Sequence, residues 1–553
     1  MRCSGRSHVL LALLACSSGL WAQIAPDTYW VEFTDKASTP YSLAQADQFL
    51  SARALARRTA QGITLDDLDL PVDPAYINAV LATGEVQLLN QSKWFNGITI
   101  RSTDPATVAI IEGLPMVGAV RAVRSGMAPR GPNTRLDATI PLMSPRDGEP
   151  ETYGPSYTQV AMLNGQVLHA QGAQGQGMLI GVLDSGFLGV DSALAFGDLR
   201  DRGGIVLTRD LVANDGDVYD DHWHGRCVFS CMAAHLEGQL LGTAPAADYV
   251  LLRTEDVDSE FPVEEDHWIA GAELADSLGC DVLNTSLGYT TFDDSTMDHS
   301  HEQLDGLSTR MSIAMNIASR KGMVPVVSAG NNGQSEWRRI SIPADARDVL
   351  AVGAVGDVEN HAPFSSFGPS HDGRVKPDVC AMGWGTIVLR EYTDSVVAGN
   401  GTSFASPVLA GLVACLWQLH PERTSFQIMD AVRRSASFFS EPNDSLGYGV
   451  PDFAAAHAWL QLTASVDVPV APEAGIYPVP FLDELNLVLP ASEGTALHYM
   501  LFDATGRAVL LGRVLAGLDG RTRIGTPGLV PGRYTLRVEQ GGSVRSFPLI
   551  KTQ

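Results

Sequence analysis

Three polar side chains in widely separated segments have the types needed for nucleophilic catalysis. Ser403 stands in Gly401-Thr402-Ser403-Phe404-Ala405-Ser406-Pro407, just before the apolar stretch Val408 to Leu419. Proline is tolerated in the first turn of a helix, where backbone N–H groups lack helical partners, so Pro407 predicts a helix start at Ser403 or Phe404. The hydroxyl then projects from a helix N-terminus, whose free N–H groups and dipole favour the negative charge that an attacked carbonyl oxygen develops. A serine hydroxyl is a poor nucleophile near neutrality and needs a base, and a histidine base needs a carboxylate to fix its tautomer and stabilise the imidazolium. His224, in Asp220-Asp221-His222-Trp223-His224-Gly225, and Asp184, in Val182-Leu183-Asp184-Ser185-Gly186, supply these two groups. His222 lacks the following glycine and ranks below His224 as the base. Singly, each residue has a plain structural use: a turn or cap for Asp184, a surface loop for His224, a helix cap for Ser403. Their occurrence together around one predicted sheet is what points to chemistry.

That sheet is read from apolar runs followed by helical stretches between about Ser156 and Leu460, the pattern of βα units feeding parallel strands. The runs Met178 to Leu183, Asp281 to Asn284, Val324 to Val327 and Val349 to Val352 are apolar on both faces, as strands covered by helices on each side require. Asp184 directly follows the first run and so emerges at the carboxyl edge of the sheet, where ligand sites collect. Residues 27–125 alternate short strand-like and helix-like patterns, and beyond residue 474 the period becomes two, as in Leu485 to Leu489 and Tyr534 to Val538. The expected fold is α/β: a three-layer core with a parallel sheet, preceded by a small α/β domain and followed by a β-sandwich. The expected boundaries are 1–22 for a signal peptide, 23–127 for the small domain, 128–155 for a linker, 156–460 for the core, 461–474 for a second linker and 475–553 for the sandwich.

The leader reading rests on Arg2 and Arg6, the apolar stretch Val9 to Ala15, and small residues up to Ala22 before Gln23. Leu13-Leu14-Ala15-Cys16 also resembles a lipoprotein box, with cleavage after Ala22 preferred. No later stretch is expected to reach the ~18 uncharged residues of a membrane span. With 63 acidic against 38 basic side chains, a formal charge of −25, the chain is unsuited to phosphate backbones or anionic lipid, which excludes nucleic acid as a natural partner. Outside the leader, Cys227, Cys231, Cys280, Cys380 and Cys415 match neither a disulfide framework nor a zinc pattern and read as buried packing. The acidic loop with Asp210, Asp215, Asp217, Asp220 and Asp221 has no EF-hand pattern, and His222 with His224 lacks the His-Glu-x-x-His arrangement of zinc peptidases, so no metal ligand is named.

A fourth segment makes the reading specific. Val327-Ser328-Ala329-Gly330-Asn331-Asn332-Gly333 follows a predicted strand. Together with Asp184-Ser185-Gly186, His224-Gly225, Ser286-Leu287-Gly288 and Gly401-Thr402-Ser403, it resembles the subtilisin-like serine proteases, in the Asp, His, Ser order of that family. The resemblance implies a secreted serine endopeptidase acting through an acyl-enzyme, with Asp184, His224 and Ser403 as the triad and Asn331 as the oxyanion donor. It further implies that Ser286, Leu287, Gly288, Ala329 and Gly330 pair with an extended polypeptide substrate. No cofactor takes part in that chemistry, and structural calcium stays open. The family usually follows His-Gly with Thr and then His or a small residue, whereas this chain has Arg226-Cys227, which leaves open whether a cysteine acts near the histidine. Phe49-Leu50-Ser51 to Arg58 and Ser92-Lys93-Trp94-Phe95-Asn96 resemble the inhibitory propeptide of a bacterial subgroup. Tyr477-Pro478-Val479-Pro480-Phe481, Asp503-Ala504-Thr505-Gly506-Arg507 and Leu549-Ile550-Lys551 resemble a type IX secretion sorting domain, with Val479 in place of the usual asparagine. These imply the chain's own propeptide and the type IX machinery as partners, and a place in the medium or on the cell surface of a Gram-negative bacterium. The rival readings are a binding protein or adhesin that keeps the fold without turnover, and an esterase on the same fold.

Overall fold

The computed structural model describes residues 27–125, 152–464 and most of the strands and shorter connections between 475 and 551. The expected leader, most of the first linker and residues 465–474 of the second lie outside the described residues.

The first element group is an antiparallel sheet of β1 (Thr28–Phe33), β2 (Gln87–Ser92), β3 (Gly97–Arg101) and β4 (Val117–Arg124), in the order β2-β3-β1-β4. Two of its helices start at Asp-Pro pairs: Asp73 and Asp104 accept backbone N–H bonds as caps, and Pro74 and Pro105 occupy the first turn, where a missing N–H costs nothing. The second group is a wholly parallel sheet of seven strands. These are β5 (Leu179–Asp184), β6 (Ile205–Asp210), β7 (Asp248–Arg253), β8 (Val282–Thr285), β9 (Val324–Ser328), β10 (Leu350–Val355) and β11 (Val379–Met382). Their order is β11-β10-β9-β8-β5-β7-β6. Alternation along each strand sends side chains to two separate cores. Ile180, Val182 and Val326 join one with Val408, Leu412 and Val228, while Leu179, Leu183 and Val327 join the other with Trp268, Ala272 and Met315. The three layers expected from the sequence follow directly.

The helix Thr402–Leu419 runs through the first core. Contrary to the sequence expectation, it is a stretch of 18 residues apolar enough to cross a membrane, but 83% of it is buried inside the fold. A helix apolar on every face suits a protein interior as well as a bilayer.

Residues 27–460 belong to one compact unit and 461–553 to another. The helix Phe453–Ala464 extends into the segment expected as linker. The second unit pairs Gly475–Tyr477, Glu484–Val488 and Arg521–Gly525 in one sheet and Ala496–Asp503, Ala508–Leu515, Gly532–Gln540 and Ser543–Lys551 in another, all antiparallel. Leu485, Leu487 and Ile524 of one sheet share a core with Leu501, Leu536 and Val538 of the other, as in a β-sandwich.

Candidate active site

Three distant segments end at the carboxyl edge of the parallel sheet. Asp184 is the last residue of β5, His224 the first of the helix His224–Ala233, and Ser403 the second of the helix Thr402–Leu419. All three line one cavity of about 360 Å³, together with Asn331.

His224 Nδ1 lies 2.7 Å from Asp184 Oδ1. An ionised carboxylate can only accept, so the proton sits on Nδ1 and Nε2 keeps its lone pair. Burial works against charging this ring, but the Asp184 carboxylate and its hydrogen bond outweigh burial and hold the imidazole above its usual range. His222 also lines the cavity, but it bonds to Ser185 Oγ at 2.7 Å. Burial, and after it the neighbouring His224, push His222 down to about 4, so it stays neutral. Among the described residues no hydrogen bond joins His224 to Ser403. Such bonds are often long in unliganded sites and tighten when substrate arrives.

Pro407 has no N–H to offer the Ser403 carbonyl four residues earlier. Ser286 Oγ donates to that carbonyl instead, at 2.9 Å. This substitute bond lets Pro407 sit in the second turn of a helix that starts at Thr402, ahead of the expected Ser403 or Phe404. Asn331 Oδ1 accepts from the Thr402 N–H at 2.9 Å and from Thr402 Oγ1 at 3.0 Å. A backbone N–H can only donate, which identifies the amide oxygen and leaves Asn331 Nδ2 without a partner among the described residues. The Ser403 N–H is unpaired in the same sense, so two donors stand ready at the cavity. Gly330, at φ 103°, brings this loop close: a Cβ there would meet Ser341 Oγ at 2.4 Å.

Ser286, Leu287, Gly288 and Gly330 line the cavity. Leu287 and Gly288 lie beyond the last ladder pair of β8 and make no backbone hydrogen bond among the described residues, leaving groups that an extended peptide could pair with. Ala329, grouped with them on sequence, lies outside the lining. It is fully buried, its N–H bonds to the Val352 carbonyl and its own carbonyl receives the Ser341 N–H.

Arg226 and Cys227, where the chain departs from the expected pattern, serve packing. Arg226 donates to the carbonyls of Leu188, Gly189 and Thr393, tying two loops to the helix that carries His224. Cys227 is fully buried, and burial pushes its thiol well up, away from the reactive thiolate. All five described cysteines are buried and unpaired. In the acidic loop, Asp210 and Asp221 pair with Arg253 at 2.7 and 3.1 Å, and Asp210 and Asp217 accept turn N–H groups. Among the described residues no group of three or more His, Cys, Asp or Glu is arranged to hold a metal ion.

Two features escaped the sequence reading. Thr402 orients Asn331, and its place beside Ser403 was the available signal. Glu255, Asp256, Glu260, Glu264 and Asp293 also line the cavity, and a run of acids directly after a strand at the carboxyl edge was legible in Thr254 to Glu260.

The profile of the subtilase family matches residues 175–449, and that of the peptidase S8 propeptide domain of Bacteroidota matches residues 28–135. Subtilisin NAT of Bacillus subtilis subsp. natto is 30% identical over 296 residues, covering 52% of this chain and 68% of that protein. Subtilisin of Bacillus pumilus is 30% identical over 285 residues, covering 50% of this chain and 90% of the relative. The chain belongs to the subtilase family. A thermostable alkaline protease of Halalkalibacterium halodurans is a further relative, 28% identical over 287 residues, 51% of this subtilase and 69% of the relative. This subtilase is a serine-type endopeptidase, and the domain ahead of its parallel-sheet core is a propeptide. The propeptide packs on the core through apolar contacts, Trp94 with Trp268, and Trp30 and Val123 with Phe261, and through charge. Arg57, Arg58 and Lys93 surround Asp276, whose burial alone would raise its carboxyl but whose three cations bring it down to about 2. Glu273 beside it accepts the N–H groups of Lys93 and Trp94 at 2.7 and 3.0 Å.

Proposed function

We propose that Ser403 is the nucleophile, His224 the base, Asp184 its orienting carboxylate and Asn331 the oxyanion donor of a peptide-hydrolysing acyl-enzyme cycle. Ser403 Oγ bonds to the scissile carbonyl carbon while His224 Nε2 takes its proton, and the oxyanion forms toward Asn331 Nδ2 and the Ser403 N–H. The carbon–nitrogen bond then breaks, the leaving amine takes the proton from His224, and water repeats the sequence to release the acid. Each oxyanion donor is worth ~3 kcal/mol at the transition state. The observation that carries this reading is the 2.7 Å bond from His224 to Asp184 at a cavity that Ser403 and Asn331 also line. The residues of 23–127 act as the inhibitor of the residues of 156–460 until they are removed. The leader 1–22 directs export across the inner membrane, and the sandwich 475–553 addresses the protein to type IX secretion in a Gram-negative bacterium.

A fluorophosphonate probe tests the catalytic part. The processed chain is expected to be labelled and to cleave casein, and Ser403→Ala to do neither. Labelling that survives Ser403→Ala, or processed wild-type protein that takes no label, sinks the assignment.

A further inference from the structure

The cavity that holds Ser403 and His224 has a second wall of one charge. Glu255, Asp256, Glu260, Glu264 and Asp293 line it, and among the described residues no lysine or arginine does. Four of these carboxylates are already used by the fold: Glu255 accepts from the Tyr289 hydroxyl at 2.6 Å, Asp256 from the Ser259 hydroxyl at 2.9 Å, Asp293 from the Glu260 N–H at 3.0 Å, and Glu264 from the N–H groups of Asp256 and Phe261 at 2.8 and 3.0 Å. Glu260 is exposed at the cavity, and its carboxylate makes no hydrogen bond or ion pair among the described residues.

Among the described residues one cation reaches the edge of this wall, and it comes from the propeptide. Arg124, the last residue of β4, stands 3.5 Å from Asp256 Oδ2, with its guanidinium 5.6 Å from the centre of the Phe261 ring. The propeptide match runs to residue 135, past Arg124, so a cut at the end of that match leaves Arg124 on its amino-terminal side. A substrate that replaces the propeptide meets the same rim with residues on the same side of its own scissile bond.

We infer that the wall formed by Glu255, Asp256 and Glu260 selects a lysine or arginine side chain on the amino-terminal side of the bond to be cut, a role that Arg124 plays within the uncleaved chain. This rests on the reading of the cavity as the peptide-cleaving site. The charge balance agrees with it. Burial raises the carboxyls of Glu255 and Glu264 above their ordinary range, with Asp184 adding to it at Glu255 and the neighbouring Glu255 and Glu260 adding to it at Glu264. A bound cation would relieve that repulsion, and in a partly desolvated cleft the pair is stronger than at an open surface.

The test is a set of fluorogenic peptides sharing one cleavage site, with Arg, Gln or Glu placed at each position before the cut and, as a control, after it. They are hydrolysed by the processed enzyme obtained from the full chain, and rates are normalised to sites titrated with fluorophosphonate. We expect kcat/KM to favour Arg over Gln by roughly tenfold at one or more positions before the cut, with Glu disfavoured there. The ratio should fall toward unity in Glu260→Gln and shrink as salt is raised. Glu255→Gln should act the same way, and because the Glu260 carboxylate makes no bond in the fold, Glu260→Gln gives the readout even where Glu255→Gln fails to fold. Equal rates for Arg and Gln at every position before the cut, or an Arg preference unchanged in Glu260→Gln, overturn the inference while labelled, active enzyme leaves the catalytic reading standing. Wild-type enzyme that neither takes the label nor cuts any peptide overturns both.

Discussion

His224 acts as a base only while its ring is neutral, and the bond to Asp184 favours the charged ring. Because the Asp184 contact holds the imidazole above its usual range, activity should be lost on the acid side through a midpoint above ~6.5. The profile of kcat/KM against pH on a neutral peptide checks this, and a midpoint below that value contradicts it. The sign for stability is opposite. A group raised in the folded state stabilises fully below the unfolded value of ~6.5, and that contribution fades as pH rises through the folded value. Catalysis thus improves across a window in which this ion pair weakens as a source of stability. At the oxyanion, Asn331→Ala removes one of two donors and should lower kcat by about 10²–10³-fold with little change in KM, measured by steady-state hydrolysis. Equal losses in KM would instead point to a role in ground-state binding.

At the scale of elements, the propeptide meets the core at the helix Val263–Leu278, where Asp276 is fully buried among Arg57, Arg58 and Lys93. Removing this buried carboxylate leaves Arg57 without an ion-pair partner among the described residues, while Arg58 keeps Asp69 at 2.7 Å, and breaking such a buried pair costs about 3–5 kcal/mol. In a Ser403→Ala background, which is expected to keep the chain uncut, Asp276→Ala should lower the denaturant midpoint accordingly. The pH dependence has a definite sign. Held down to about 2, Asp276 stabilises fully above the unfolded value of ~3.9, and the contribution is lost as pH falls through 2. Uncut protein should therefore lose this part of its stability only in strong acid, and Asp276→Ala should flatten that limb of the stability curve. A variant as stable as its parent would show that the cluster is neutral in net effect.

For the molecule as a whole, the division into two compact units gives the last prediction. Residues 461–553 have their own apolar core, with Leu485, Leu501, Leu536 and Val538 among its buried members. A chain ending at Ala464 should fold, process and cleave a short peptide within twofold of the full chain, because every cavity residue lies before that point. Under the proposed sorting role it should also fail to reach the cell surface, which fractionation would show. A truncated chain that folds but loses peptidase activity would tie the sandwich to catalysis.

Much of this was legible in residue order. Apolar runs such as Ile180 to Leu183 could only be strands covered on both faces, and Asp184 at the end of one had to emerge at the carboxyl edge, because side-chain alternation and parallel connectivity are local rules. Ser403 before an apolar helix was readable by a local rule as well, whereas Asn331 after Ala-Gly was singled out only by the resemblance to the subtilisin-like proteases. What depended on distant contacts was not. Pro407 is accommodated inside the helix because Ser286 satisfies the carbonyl it leaves open, a bond spanning 117 residues. The orientation of Asn331 follows from Thr402, 71 residues away. Ala329 lost its expected place at the cavity to the Val352 and Ser341 backbone bonds, and the uncharged Thr402–Leu419 stretch became a core helix because two layers close around it. The acidic wall was visible as composition, but only the folded chain set it in one cavity with Ser403. Patterns of three or four residues fix elements; which free polar group meets which is decided where chain segments from far apart are packed together.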